Sequence, residues 1–473
     1  MGASVSVFNI LQQSPYDANP TPCGQNDKSS SAILKWVPSL FNARATTTDG
    51  SVVLWNVYSN RMSVFKPHLV SRVIEALSRK GIEGKPEGLI KFLVDRGFLV
   101  GADVDEFRRF RHAFNQDHYA QDRLQLFLLS SEDCNFRCKY CYENFSRGTM
   151  EPWVRTGVKK YLEKKVPLLR NFKLEWFGGE PLYGMEAIAE IAPFALELAN
   201  KHSVKYSSKM TTNAYLLTPE VLDRLFAWHV LNYQITLDGP PEHHDRCRPG
   251  RDGTPTFATI LENLKSMQRR GEDFHVMLRV NYDRDNSSSL EQLLDILERQ
   301  LHTDQRFRLA FRNIQKWGGP GDDQLNVCTP DEAAEVYRRM ESEARKRGLL
   351  LAGTIHNAGG LGAQVCYAAR PNSFIVGATG KIMKCTIELD SNDRNVVGSI
   401  AESGELTIDD NKMSLWTAPA FETDKKCQKC MMAPSCAGMS CPLIRFETND
   451  SPCVSHRTHF KRALRSAAGD ITG

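Results

Sequence analysis

The sequence predicts an α/β chain organised around a partial (β/α)6 barrel of the TIM type. A small module precedes the barrel and a cysteine-rich extension follows it. Three observations carry this expectation. Between Arg123 and Asn313 short β-rich runs alternate with helical stretches, the order that gives parallel strands and right-handed crossovers. Cys134, Cys138 and Cys141 fall within eight residues, directly after the first of those strands. Seven of the thirteen cysteines lie in the last 108 residues.

Taken in order, residues 1–50 read as a loose segment. Met1–Lys35 is polar, carries Ser29–Ser31, and is broken by Pro15, Pro20 and Pro22. From Ser51 the pattern changes: Val52, Leu54 and Asn56 alternate, Ser59-Asn60 gives a turn, and Met62 to Phe65 completes a hairpin. Pro67 opens a helix through Ser78, and a second helix follows Pro86 and stops near Gly97. A hairpin with two short helices makes residues 51–118 a module that resembles a winged helix. The barrel is expected over residues 119–325, with strands at Leu124–Leu129, Lys173–Phe177, Tyr206–Thr211, Tyr233–Thr236, His275–Val280 and Arg308–Arg312. Helices are expected between them at Pro152–Lys164, Met185–Lys201, Pro219–Trp228, Thr256–Arg270 and Ser288–Gln300. Chemistry in such a barrel sits at the C-terminal ends of the strands, so the loops carrying Cys134, Gly178 and Asp238 should share one mouth. A helix over Pro330–Arg347 leads into the extension, residues 326–473. Its basic tail (Arg457, Lys461, Arg462, Arg465) reads as a solvated face.

Composition bounds the function. At 473 residues the chain suggests roughly two to four domains. Its 41% hydrophobic and 25% charged residues exclude collagenous, disordered and membrane-embedded classes. No apolar run nears the roughly 18 residues that span a bilayer. A net charge of +4 gives no basic stripe for nucleic acid. Met1–Gly50 shows no basic start followed by an apolar stretch, so a cytoplasmic location is expected. Thirteen cysteines, an odd count, then argue for reduced thiols rather than a disulfide framework.

Cys134-Asn-Phe-Arg-Cys138-Lys-Tyr-Cys141 puts three thiols on one tight loop. A closed zinc site takes four ligands, so a zinc reading needs a distant fourth. Three suit a [4Fe–4S] cluster with one iron left open, and an open iron can hold a small chelating molecule. This spacing, with an aromatic before the last cysteine, resembles the radical S-adenosylmethionine (radical SAM) enzymes. The motifs that follow are similar as well. Phe177-Gly178-Gly179-Glu180-Pro181 resembles the family's Gly-Gly-Glu, whose backbone and carboxylate hold the methionine ammonium. Two glycines let backbone approach a ligand, and Glu180 supplies a complementary charge. Thr211-Thr212-Asn213-Ala214 looks like the Thr-Asn-Gly turn, with Ala214 in place of glycine; a helix capped by Asn213 is the other reading. Thr236-Leu237-Asp238-Gly239-Pro240 and His244-Asp245-Arg246-Cys247-Arg248 resemble stretches of the peptide-modifying branch. Arg279 and Asn281 match the position that reaches the SAM ribose or carboxylate, and Tyr140 would pack near the adenine. The resemblance implies that a reduced cluster cleaves SAM to methionine and a 5′-deoxyadenosyl radical, which abstracts hydrogen from an unactivated C–H bond.

The C-terminal cysteines resemble the SPASM extension of these enzymes, which carries two auxiliary [4Fe–4S] clusters. By position, Cys366, Cys385 and Cys441 would bind the first, and Cys427, Cys430, Cys436 and Cys453 the second. The implied total is three [4Fe–4S] clusters, one of them binding SAM. Cys427-x2-Cys430 alone would equally suit zinc. Two departures stand out: the Cys436–Cys441 interval is one residue longer than the commonest spacing, and no cysteine lies between Cys366 and Cys385. The first auxiliary cluster would then keep an open iron or recruit Cys328. Cys23 and Cys247 read as ordinary cysteines. Thr386 stands where anaerobic sulfatase maturases carry an aspartate after the cysteine, so the stretch looks more like the peptide cross-linking maturases. The implied function is a peptide maturase that cross-links a ribosomally made precursor peptide by a thioether, C–C or ether bond, served by a flavodoxin- or ferredoxin-type reductant. The N-terminal module would capture the precursor as an added strand, or else only cap the barrel. The alternatives are sulfatase-maturase-like protein oxidation and a non-catalytic iron–sulfur or zinc scaffold. No nucleic-acid or membrane partner is expected.

Overall fold

The computed structural model describes residues 34–472 apart from 79, 146, 302–303 and 354–356. The expectations for Met1 to Ser31, including Cys23, lie outside the described residues. From Lys35 the segment expected to be loose is instead regular: β1 (Lys35–Pro38) and β2 (Asn42–Thr46) are strands. Ala43 and Ala45 alternate with exposed Arg44 and Thr46, a period of two carried by residues too small to stand out in the sequence. The hairpin forms as β3 (Val52–Asn56) and β4 (Arg61–Phe65), with β2 as an antiparallel third strand. The two expected helices follow as α1 (Pro67–Ala76) and, after β5 (Ile82–Glu83), α2 (Gly88–Asp95). A second small sheet, β5-β1-β6 with β6 at Leu99–Gly101, was not foreseen. Neither was α3 (Glu106–His118), whose Phe110 and Phe114 pack with Phe421, Ala433 and Met439 of the extension.

The end of α3 carries a pH-sensitive joint. His118 is buried, and its Nε2 lies 2.9 Å from the Thr417 carbonyl. Burial lowers its pKa from 6.5 to about 4, so the folded protein keeps the ring neutral where an unfolded chain would protonate. Between those values the unfolded state binds the extra proton. Stability is therefore full above about pH 6.5 and falls as the pH drops toward 4, by ~3 kcal/mol. Denaturant unfolding across this window should show a flatter curve for His118→Gln.

The barrel follows as expected: β7 (Arg123–Ser131), α4 (Pro152–Lys165), β8 (Asn171–Gly178), α5 (Met185–Lys201), β9 (Lys205–Thr212), α6 (Pro219–Ala227) and β10 (Val230–Thr236). Next come α7 (Pro241–Cys247), α8 (Phe257–Gln268), β11 (His275–Tyr282), α9 (Leu290–Leu301), β12 (Phe307–Asn313) and α10 (Pro330–Lys346). All six strands are parallel and neighbours in chain order. Val276, Leu278, Val280 and Tyr282 join the helix-packed core, which leaves Met277, Arg279 and Asn281 on the inner face.

The extension does not stand apart from the barrel. β13 (Ser373–Val376) pairs in parallel with β7, and β14 (Lys381–Met383), β15 (Val396–Ile400) and β16 (Leu406–Ile408) continue antiparallel into one ten-stranded sheet. Phe127 and Leu129 of β7 pack with Ile375 and Met383 across this seam. Short helices α11 (Asp410–Thr417), α12 (Lys425–Gln428), α13 (Ala433–Cys436) and α14 (Pro442–Thr448) carry the last cysteines. The final helix, α15 (Ser455–Thr472), is not simply a solvated tail. Leu464, Ala467 and Ala468 bury against Ala43, Ala45 and Trp55, while Lys461, Arg462 and Arg465 face solvent. Among the described residues no helix is long and apolar enough to cross a membrane.

Candidate functional site

The cysteine loop leaves the end of β7 and is pinned from the far side by the chain after α7. Arg137 N donates to the Pro249 carbonyl at 3.0 Å, Lys139 N to Cys247 at 3.0 Å, and Arg251 N to Asn135 at 2.6 Å. Cys134, Cys138 and Cys141 are all thiols. Burial raises each pKa; Glu180 adds to the effect at Cys134, and Glu143 helps push Cys141 up to about 12. Arg248 opposes the shift at Cys138. Thiols in this setting keep their protons until a metal takes the sulfur, so cluster assembly must release protons. Among the described residues no three His, Cys, Asp or Glu side chains meet closely enough to hold a single metal ion. Three soft sulfurs on one loop fit a multi-iron cluster with one cysteine per iron.

Gly178 and Gly179 bring two stretches of backbone close together. Gly178 has φ +117° and would drive a Cβ into the Ser131 carbonyl; a Cβ on Gly179 would stand 2.5 Å from the Asp133 oxygen and 3.1 Å from Cys134 Cβ. Both glycines let β8 press against the cysteine loop. Glu180 likewise turns inward. It is fully buried, and its carboxylate accepts from Leu182 N (3.0 Å), Thr212 Oγ1 (2.7 Å) and Asn213 N (2.8 Å). Those three bonds make it a brace between β8 and the end of β9. Asn213 extends the brace: its Nδ2 donates to Asn135 Oδ1 at 2.7 Å and reaches Cys134 Sγ at 3.8 Å. Asn213 does not cap a helix. It begins an Asx turn through Tyr215 N (2.9 Å), with Ala214 left-handed at φ +62°, where the family motif has glycine.

The third group ties the loop to β10 and β11. The Tyr140 hydroxyl accepts from Arg248 at 2.6 Å and from Asn281 Nδ2 at 3.0 Å, and donates to Asp238. Asp238 is fully buried, accepts from Asn281 N at 2.8 Å, and has Arg248 3.8 Å away. Arg279 Nε donates to Asn281 Oδ1 at 2.7 Å. Tyr140, Asp238, Arg279 and Asn281 thus come together in one network. Arg248 and His244, which accepts Asp238 N at Nδ1, are the supporting residues that the motif contained without revealing their task.

The sequence profile of the radical SAM superfamily matches residues 128–297, the span of this loop and strand set. The chain carries a radical SAM domain. It is 22% identical over 197 residues to the radical SAM cyclopropyl synthase TigE of Paramaledivibacter caminithermalis, covering 37% of this chain and 41% of TigE. It is 26% identical over 161 residues to a serine-type anaerobic sulfatase-maturating enzyme of Bacteroides thetaiotaomicron, covering 31% and 37%. The match thus spans about two fifths of these relatives' length. Native anSMEcpe, solved with bound AdoMet and Cp18Cys peptide, shares the fold with a TM-score of 0.56 at 18% identity, over 74% of this chain and 98% of that one. A radical SAM domain implies SAM and a [4Fe–4S] cluster.

Beyond the radical SAM domain, seven of the eight cysteines fall into two groups. Cys366 N donates to the Met439 carbonyl at 3.0 Å, two residues before Cys441, and the adjoining Tyr367 hydroxyl pairs with Thr386, next to Cys385, so the backbones that carry these three cysteines adjoin. Cys427, Cys430, Cys436 and Cys453 line one cavity of about 70 Å³ with Asp424, Gly438 and Ser451. Cys328 belongs to neither group: its charged neighbours are Glu332, Asp283 and Arg284, so it is not positioned as a spare ligand for the first group. Cys247 is less ordinary than its sequence suggested, since it sits beside Cys138 and Asp238. Thr386 pairs with the Tyr367 hydroxyl at 2.7 Å.

The sequence reading missed Asn395 altogether. Fully buried, it accepts from Lys384 N (3.1 Å) and Cys385 N (2.8 Å) and donates to the Cys385 and Leu389 carbonyls at 2.8 and 2.6 Å. Asn395→Ala strips four buried backbone groups of their partner and should cost ~3 kcal/mol or more. Unfolding curves and iron content together check this: iron bound by the Cys385 group should fall while SAM cleavage persists.

Proposed function

We propose that this chain is a radical SAM/SPASM peptide maturase that installs an intramolecular thioether, C–C or ether link in a ribosomally made precursor peptide. Cys134, Cys138 and Cys141 hold the SAM-binding [4Fe–4S] cluster. Cys366, Cys385 and Cys441 hold a first auxiliary cluster, and Cys427, Cys430, Cys436 and Cys453 a second. When bound, the first cluster and SAM supply the 5′-deoxyadenosyl radical that takes a hydrogen atom from the substrate. The protein's part is placement. The Glu180–Thr212–Asn213 brace fixes Cys134, and the Tyr140–Asp238–Asn281 network fixes the other end of the loop against β11.

One observation carries the reading beyond SAM cleavage. Burial first, and then the neighbouring Glu143, Cys141 and Cys385, raise the pKa of Tyr142, next to the last loop cysteine, while Arg279 opposes them. The radical loop and the first auxiliary group therefore border one interior, where a substrate residue can meet both. The names of relatives support a peptide or protein substrate: one is a sulfatase-maturating enzyme, and anSMEcpe was solved with a peptide bound. A flavodoxin- or ferredoxin-type protein is the proposed reductant.

The test is anaerobic reconstitution with iron counting, SAM turnover, and tandem mass fragmentation of a co-expressed candidate peptide. About twelve irons, 5′-deoxyadenosine, and a product two hydrogens lighter with no fragmentation across the linked residues are expected. A lighter product that fragments normally across the site means protein oxidation instead. Iron uptake without SAM consumption means a scaffold.

A further inference from the structure

Near the C-terminal ends of β11 and β12 the inner face of the barrel carries Arg279 and Arg312, neither with an acidic partner among the described residues. In the β11–β12 register Arg279 stands opposite Ala310 and Asn281 opposite Arg312, so all four residues point to the same side. Phe307, Leu309 and Phe311 belong to the helix-packed core, which leaves Arg308, Ala310 and Arg312 facing the interior. Arg279 spends its Nε on Asn281 Oδ1 at 2.7 Å, and Arg312 spends NH1 on the carbonyl of its own neighbour Phe311 at 2.8 Å. Neither forms an ion pair with any described carboxylate. Arg312 is an exposed residue, yet burial of its head group and then the like charge of Arg279 lower its pKa, while Tyr337 and Tyr282 oppose the shift. Two neighbouring cations in a partly dry interior destabilise the empty site, and a bound anion reverses that. Planar, fixed guanidinium forks suit a carboxylate best.

We propose that Arg312, backed by Arg279, binds a carboxylate of the peptide substrate, an Asp or Glu side chain beside the residue that reacts. This rests on the proposed function for what the substrate is, but not for whether the anion site exists. Asn281, which Arg279 holds at 2.7 Å, donates at 3.0 Å to the hydroxyl of Tyr140 on the cysteine loop, which places the site next to that loop. An acidic residue anchored there would hold its neighbour in the interior. The reading therefore predicts precursors with an acidic residue next to the modified one.

The probe is N-acetyl-glutamic acid α-amide, with N-acetyl-glutamine amide as the uncharged control. Ligand-observed NMR on the reconstituted full chain would follow binding with and without saturating SAM. The acidic probe should bind in both conditions and the control in neither. Arg312→Gln should weaken binding at least about tenfold, and Arg312→Lys should keep part of it, since a cation without the fork still attracts the anion. Loss of probe binding on adding SAM would assign the two arginines to the methionine carboxylate and overturn the proposal. So would equal binding of acid and amide, no binding of either, or full binding to Arg312→Gln. Because the Arg312→Lys arm retains charge and binding, a merely misfolded glutamine variant is recognised. Failure of iron uptake or SAM turnover sinks the proposed function separately, leaving the probe result to be read alone.

Discussion

Alanine at Cys134, Cys138 and Cys141 together should reduce 5′-deoxyadenosine formation to background, at least ~10³-fold or about 4 kcal/mol in the barrier. Removing one sulfur should cost nearly as much as removing all three, because ligands of a single cluster act as a unit and their effects do not add. Fold loss is not the expected cause. Backbone bonds from Arg137, Lys139 and Arg251 hold the loop without any sulfur, and Asn213 Nδ2 keeps its 2.7 Å bond to Asn135 Oδ1. Circular dichroism and the unfolding midpoint should therefore stay near those of the parent. Iron should fall by about four of the twelve expected, with the signals of the C-terminal groups retained. Nucleoside production surviving the triple replacement would remove the loop from the chemistry and the proposed function with it.

Most of this architecture could be read from the sequence because the barrel strands are runs of period two between amphipathic helices, and both signals are local. The six expected strands match the observed ones closely, and Met185–Lys201 is a helix over the same residues. What escaped was either short or non-local. Pro-Glu-His-His-Asp-Arg-Cys at α7 has no apolar period to betray a helix. β13 is four residues long and finds its partner in β7 some 250 residues earlier, a pairing no local pattern encodes. In the tail helix the apolar stripe of Leu464, Ala467 and Ala468 was visible at helical spacing, but the cations around it outweighed it. The site divides in the same way. Cysteine spacing marked both the loop and the cavity group, since metal chemistry constrains residue type. Sequence alone does not say which backbone groups a carboxylate braces, so the bonds of Glu180 to Leu182, Thr212 and Asn213 left no mark in it. Asn395 had no mark at all, being one asparagine ten residues from the cysteine it clamps.

The glycine beside that brace offers the sharpest test of how the loop is held. Gly179→Ala places a Cβ 2.5 Å from the Asp133 oxygen, 2.7 Å from its carbonyl carbon and 3.1 Å from Cys134 Cβ. Two of these are backbone atoms, which cannot rotate away as the end of a side chain would. Moving them strains the Gly179 N to Ser131 bond (3.1 Å) and the Glu180 N to Asp133 bond (2.9 Å), the two that lock the strand end to the loop. We expect a stability loss of ~2–3 kcal/mol, within the range for overpacking at a fixed backbone. Displacing Cys134 should matter more than the stability loss: SAM cleavage should fall ~10²-fold, as misplaced reacting groups do. Gly271→Ala is the control, because a Cβ there meets nothing within 4 Å. The two variants separate local geometry from a general intolerance of alanine. A Gly179→Ala protein that binds four irons on this loop and turns over SAM at the parent rate would show that the close approach of β8 is dispensable, and that the loop is positioned from the Tyr140 side alone.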